Sequence, residues 1–212
     1  GNYGLNHRYQ PTAEHPLLML HNDFDHNNTR DIVLARWVEG AYRPDRSFTY
    51  LKQQFPFLML KYEWHEEFAA ADLVRVFGND VEAADRFTAE VFATTLFVNE
   101  GGRFTAQPLP DHAQLSSVNA IAIHDLDGDG RVELVLAGNT FLGPVETGSN
   151  DAGCGAVLTR KADGTWRVMP PAESGFIEPG MVRGLVITGG QLLVGNNNGP
   201  VHRYTMRPPA VP

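Results

Sequence analysis

Short apolar runs separated by turn residues make up most of this chain. Leu17–Leu20, Ile32–Val38, Thr95–Val98, Val118–Ile123, Val132–Ala137, Ala156–Leu158, Trp166–Met169, Val182–Ile187, Leu192–Val194 and Val201–Met206 all have the length of strands. Turn signals sit between them: Asn99-Glu100-Gly101-Gly102 before Phe104, Ala162-Asp163-Gly164, and Gly189-Gly190. Val118–Ile123 reads as a buried strand. One region departs from this pattern. Over about 62–94 the apolar spacing becomes helical, with Trp64, Phe68, Ala71 and Val74 in one segment and Val81, Ala84, Phe87, Val91 and Phe92 in the next. Two short helices are predicted, Glu63–Phe77 closed by Gly78 and Asp80–Thr94 opened by an Asn79/Glu82 capping box.

A longer period overlies the strands. A strand, an acidic loop and a second strand occur around Asp23 and again around Asp125, 102 residues later. The predicted fold is mainly β: about three four-stranded blades of a β-propeller with a two-helix insert. Residues 1–212 form a single propeller segment. Blade one covers about 16–108 with the insert at about 62–94, blade two about 116–170, and blade three about 181–207. Propellers usually close with four to eight blades. Three blades leave an open edge, so the chain reads as the C-terminal part of a larger propeller or as one completed with another chain.

The loops carry the chemistry. In Asp125-Leu126-Asp127-Gly128-Asp129-Gly130-Arg131-Val132-Glu133, acids occupy positions 1, 3, 5 and 9, and position 7 offers the Arg131 carbonyl. In Asp23-Phe24-Asp25-His26-Asn27-Asn28-Thr29-Arg30-Asp31, the same positions are Asp23, Asp25, Asn27 and Asp31, with Thr29 at position 7. Alternating acids in a tight turn repel one another unless a cation sits among them. Calcium accepts six to eight oxygens in irregular geometry. Two Ca²⁺ sites are therefore expected, and filling both would move the formal charge from −8 to −4. An EF-hand is excluded because position 12 is Leu34 in one loop and Leu136 in the other, where that motif needs a bidentate Glu. The plainest role for the ions is to staple each hairpin.

With Gly138-Asn139 after the second strand, these loops resemble the FG-GAP or VCBS repeat of integrin-α-like β-propellers. Gly1-Asn2-Tyr3-Gly4-Leu5-Asn6, Gln54-Phe55-Pro56-Phe57, Asn99–Phe104, Leu109-Pro110 with Ala113-Gln114, and Glu146-Thr147-Gly148 before Asp151-Ala152 extend the likeness to bacterial proteins related to the cartilage acidic protein group. The resemblance implies the ligand sets Asp23, Asp25, Asn27, Thr29, Asp31 and Asp125, Asp127, Asp129, Arg131, Glu133. It implies no metal in the third unit, where Asn196-Asn197-Asn198-Gly199 follows the second strand.

Composition narrows the function. Asp plus Glu is 25 against 17 for Lys plus Arg, and there is no basic run. Nucleic acid and anionic membranes are poor partners for such a field. No apolar run reaches the length of a membrane helix. The chain starts at Gly1 rather than Met, so a missing leader says nothing about its compartment. Cys154, the one cysteine, reads as a small buried residue. His65-Glu66-Glu67-Phe68-Ala69 lacks the second His of a zinc-protease helix, and Ser174 lacks a nucleophile elbow. No acid–base pair stands out beyond the metal loops.

The expectation is a non-catalytic, calcium-binding propeller module that binds or scaffolds outside the cytoplasm, exported to the periplasm, cell surface or beyond. A protein partner, the remaining propeller blades or a glycan are the expected partners. An accessory subunit of an envelope complex and a non-catalytic part of a carbohydrate-active enzyme are the alternatives.

Overall fold

Alternation of apolar and polar residues shapes the first sheet. In β1 (Leu17–Asn22) and β2 (Asp31–Val38), Leu18, Leu20, Val33 and Ala35 face inward and are buried. The strands pair antiparallel, with Leu20 opposite Val33. The computed structural model describes residues 1–206. Residue 207, the expected end of blade three, and the Pro-rich tail lie outside the described residues. The chain forms two compact units: Tyr9–Val91, and Gly1–Arg8 with the chain from Phe92 onward. The described residues are mainly β, with four small antiparallel sheets.

In the Tyr9–Val91 unit, β3 (Ala41–Pro44) joins the free side of β2. Five short helices follow: α1 (Phe48–Gln54), α2 (Leu58–Lys61), α3 (His65–Ala69), α4 (Leu73–Phe77) and α5 (Asp80–Ala83). The chain then returns as β4 (Asp85–Ala89) beside β1, giving the order β3-β2-β1-β4. This is the Greek-key order, three meandering strands with a fourth beside the first. The helices bury Phe48, Leu51, Phe55, Leu58, Phe68 and Phe77 in one core with the inward face of β1 and β2.

This corrects the helical reading. Helix begins at Phe48, before residue 62, and ends at Ala83, well short of Thr94. Ala84 is already extended (φ −74°, ψ 142°). Phe87, placed on a helical face by its spacing, is a half-exposed residue of β4. Pairing to β1 supplies backbone partners that one isolated turn of helix does not. The capping box at Asn79 does not form, and α5 has no side-chain cap; the preceding α4 is capped by Asp72, its carboxylate accepting the Arg75 N–H at 2.7 Å. Gly78 ends α4 at φ 66° as expected. Of the spaced apolar residues, Phe68 and Ala71 are buried, while Trp64 is 63% exposed and Val74 is also exposed.

The other unit is layered. The hairpin of β5 (Thr95–Glu100) and β6 (Arg103–Pro108) is a two-stranded sheet. The stretch read as one blade, about 16–108, thus contributes two separate sheets. β7 (Val118–His124), β8 (Glu133–Gly138), β9 (Ala156–Arg160) and β10 (Trp166–Met169) form a four-stranded meander. After a turn of helix, α6 (Pro171–Ser174), come β11 (Val182–Thr188), β12 (Gln191–Asn196) and β13 (Val201–Thr205), a three-stranded meander. β8 is buried along its whole length because both of its faces are covered. Leu134, Leu136, Ala156 and Leu158 pack with Leu109, Ala113 and Leu96, while Val135, Ala137 and Val157 pack with Val182, Leu192 and Val194. β7 is not the fully buried strand expected: Ile121 and Ile123 are exposed and only its Ala120–Ala122 face is covered.

Polar hubs lock the ends of these strands. Asn139, 1% exposed at φ 74°, accepts from Ser116 Oγ (2.6 Å) and donates to the carbonyls of Gly153 (2.7 Å) and Pro179 (2.8 Å). A Cβ on neighbouring Gly138 would lie 1.7 Å from the Ser117 carbonyl, so only glycine fits there. Gln114 holds Thr94 through both ends of its amide. These hubs explain the Gly-Asn and Ala-Gln pairs in the sequence without any ligand. Cys154 is exposed rather than buried, because it lies in the irregular stretch between Gly153 and Gly155 that precedes β9.

Candidate metal centres

Each acidic loop joins two antiparallel neighbours, β1 to β2 and β7 to β8. The two loops have the same backbone. Positions 4 and 6 are left-handed in both: His26 (φ 59°) and Asn28 (φ 68°) in the first, Gly128 (φ 78°) and Gly130 (φ 83°) in the second. Most of the hydrogen bonds correspond as well; the exception is Oδ1 of position 1, which accepts from the Asn27 N–H (3.0 Å) in the first loop and from the Gly128 N–H (2.7 Å) in the second. At position 1, Asp23 Oδ2 accepts from the Asn28 N–H (2.9 Å) and Asp125 Oδ2 from the Gly130 N–H (2.9 Å). Position 3 accepts from the N–H of position 5, Asp25 from Asn27 (3.3 Å) and Asp127 from Asp129 (3.1 Å). Position 5 accepts from the N–H of position 7, Asn27 from Thr29 and Asp129 from Arg131, both at 2.7 Å.

This wiring turns the acids inward. One carboxylate oxygen from each of Asp23, Asp25 and Asp31 lies within 4.8 Å of the others, and the same holds for Asp125, Asp127 and Glu133. Positions 1, 3 and 9 therefore converge in both loops, and each group can hold a metal ion. Asp129 is not one of the converging acids; besides the Arg131 N–H, its carboxylate lies 3.8 Å from Arg131 Nε. Asn27 also spends its amide on Asp25 Oδ2 (3.0 Å). Thr29 and Arg131 are placed by their N–H groups, at the position where a backbone carbonyl would serve as a ligand.

Two observations test the fit of a cation. Asp31 Oδ2 is buried with no hydrogen-bond partner among the described residues, while Asp31 Oδ1 is held by Gln54 Nε2 at 3.1 Å. Glu133 is 2% exposed. Burial pushes its carboxyl above the ordinary range and the nearby Asp127 adds to the push; the Leu126 N–H (2.8 Å) and Thr159 hydroxyl (3.3 Å) oppose it. Buried carboxylates of this kind cost free energy unless paired or coordinated. An all-oxygen donor set suits a hard cation.

Sequence reasoning missed the residues that hold these sites in place. Position 2 is an anchor: Phe24 is buried against Phe55 and Phe77, and Leu126 packs against the core between the sheets of β7–β10 and β11–β13. The signal was present as an apolar residue between two Asp in both loops. Gln54 and Thr159 had no local signal, since each reaches its acid from a distant segment. Beside the first loop, His21 lies 3.6 Å from Asp85, His26 lies 3.3 Å from Asp80, and Arg30 lies 2.9 Å from Asp85.

Comparison with protein-family models, curated proteins and solved structures finds no match to this chain. Among the described residues no helix is long and apolar enough to cross a membrane.

Proposed function

We propose that this chain is a calcium-binding module of the β-propeller type that binds or scaffolds other molecules outside the cytoplasm. The observation that carries the reading is the shared geometry of the two loops. Sequences that are identical only at positions 1 and 3 share left-handed backbone at positions 4 and 6 and converge three carboxylates at one point. Calcium suits these irregular, partly exposed turns better than magnesium, which demands near-ideal octahedral geometry. Weak sites of extracellular type fill where calcium is millimolar, which favours an exported location. The meanders β7–β10 and β11–β13 support blades, and the likeness to FG-GAP and VCBS repeats supports the same architecture. No catalytic role is assigned to either loop.

The accessory-subunit reading is favoured by the β5–β6 hairpin. Phe97 and Phe104 lie diagonally on one face of it and are each more than 60% exposed. A further blade or a partner protein would cover that face.

Calcium titration calorimetry with metal analysis of the full chain tests the main reading. Two ions per chain are expected, with one lost in Asp125→Ala/Asp127→Ala and a lower melting temperature. Unchanged metal content and melting in that variant would refute it.

A further inference from the structure

A cavity of about 430 Å³ lies in the unit that holds the second loop. Asp127 and Glu133, two of the three converging acids, line it. Val157, Met169, Phe176 and the ring of Tyr204 give it an apolar wall, and Glu173, Ser174 and Thr205 add polar groups. Among the described residues no Lys, Arg or His lines it. The volume falls in the range of small-ligand sites.

The apolar wall is built rather than incidental. Phe176 is buried and meets Tyr204 edge-on at 5.1 Å. Its ring seats over Gly155, where a Cβ would lie 2.5 Å from it. The Tyr204 hydroxyl donates to the Ile177 carbonyl at 2.5 Å, which fixes the ring. The cavity therefore sets the Asp127 and Glu133 carboxylates beside an aromatic and thioether wall, with Glu173, already paired with Arg167, as a further acid.

We infer that this cavity binds a pyranoside, with two vicinal hydroxyls at the Asp127–Glu133 end and the C–H face of the sugar on Met169 and Tyr204. A sugar ring has the same two-faced chemistry, a polar hydroxyl edge and an apolar face. The inference rests on the calcium reading. An ion held by Asp125, Asp127 and Glu133 borders the cavity, and its shell of six to eight oxygens exceeds what the loop supplies from side chains. Neutral hydroxyl oxygens complete that shell without adding charge to an already acidic end.

The test uses the full chain and three probes, the methyl glycosides of α-D-mannose, β-D-galactose and α-L-fucose. Calcium content is measured first, without sugar. Amide shifts are then followed by NMR in saturating calcium and again with chelator. Leu126, Val157 and Phe176 are expected to shift with at least one glycoside in calcium and with none in chelator. By linkage, the sugar and the ion tighten each other by the same factor, expected to be about fivefold or more. Ala172→Phe places a bulky ring at an exposed residue that lines the cavity and is not one of the converging acids. It should keep both ions and lose the sugar response.

Two bound ions with no response to any glycoside would overturn the inference and leave the calcium reading intact. Equal shifts in chelator, or an undiminished response in Ala172→Phe, would overturn it as well. A chain that binds no calcium would refute both.

Discussion

The two acidic loops reach the same geometry from different sequences, and the contrast separates what binds an ion from what holds a loop in place. The second loop has glycine at both left-handed positions and a buried Glu at position 9. The first uses His26 and Asn28 there and ends on a half-buried Asp31. In compensation, its anchor is larger: Phe24 sits among aromatic rings, with Phe77 at 4.8 Å and Phe55 at 6.2 Å. Leu126 is only partly buried. The first loop is held by its core, the second by its backbone and its acids.

That division predicts the largest single effect. Phe24→Ala should cost about 3–5 kcal/mol, the usual range for emptying an aromatic site in a core. Unfolding by denaturant should show the loss, and calorimetry should show one calcium site gone and the other kept. Loss of both sites would mean that the loops are not independent. Removing the acids comes next. At a hundredfold excess of calcium over Kd, one ion contributes about 2.7 kcal/mol. Asp125→Ala/Asp127→Ala should lose that amount, and Asp23→Ala/Asp25→Ala less, because position 9 of the first loop is a half-buried Asp31 where the second has the buried Glu133, whose charge gains more from a paired ion. Melting temperatures in calcium would reverse the ranking of the sites if the order came out the other way.

Glu133→Gln sharpens the comparison through its sign. The amide keeps an acceptor for the Leu126 N–H while removing a buried charge that Asp127 and Asp129 oppose. The variant should melt higher than the parent in chelator and lower in calcium. Asp31→Asn, at a less buried position, should show the same crossing with smaller amplitude. Parallel melting curves in both conditions would refute the account of Glu133.

Much of this contrast was legible in the sequence. The spacing of acids located both loops, and every expected strand is present. β3 and β4 were missed. Ala41-Tyr42 is too short a run to register, and Phe87, Val91 and Phe92 fall at helical spacing although Phe87 lies in a strand. What decides there is the open side of β1, which no local pattern encodes. The anchors show the same limit. Position 2 was visible as an apolar residue, but what Phe24 packs against depends on how α1 and α4 fold back. Gln54 on Asp31 and Thr159 on Glu133 are contacts across 23 and 26 residues, beyond any motif.

The smallest predicted effect isolates the backbone. Gly130 at φ 83° has open space where a Cβ would go, so Gly130→Ala adds only the left-handed penalty, roughly 1–2 kcal/mol. The matching change in the first loop, Asn28→Gly, removes a residue that tolerates this conformation and adds chain entropy to the unfolded state. The two terms oppose each other, and the net change should be a few tenths of a kcal/mol at most. Denaturant midpoints of the two variants therefore measure the same backbone position from opposite sides. A large gain from Asn28→Gly would show that the first loop stores strain that its aromatic anchor has to hold. A loss as large as that of Gly130→Ala would show that the Asn28 side chain, and not its φ, is what the loop needs.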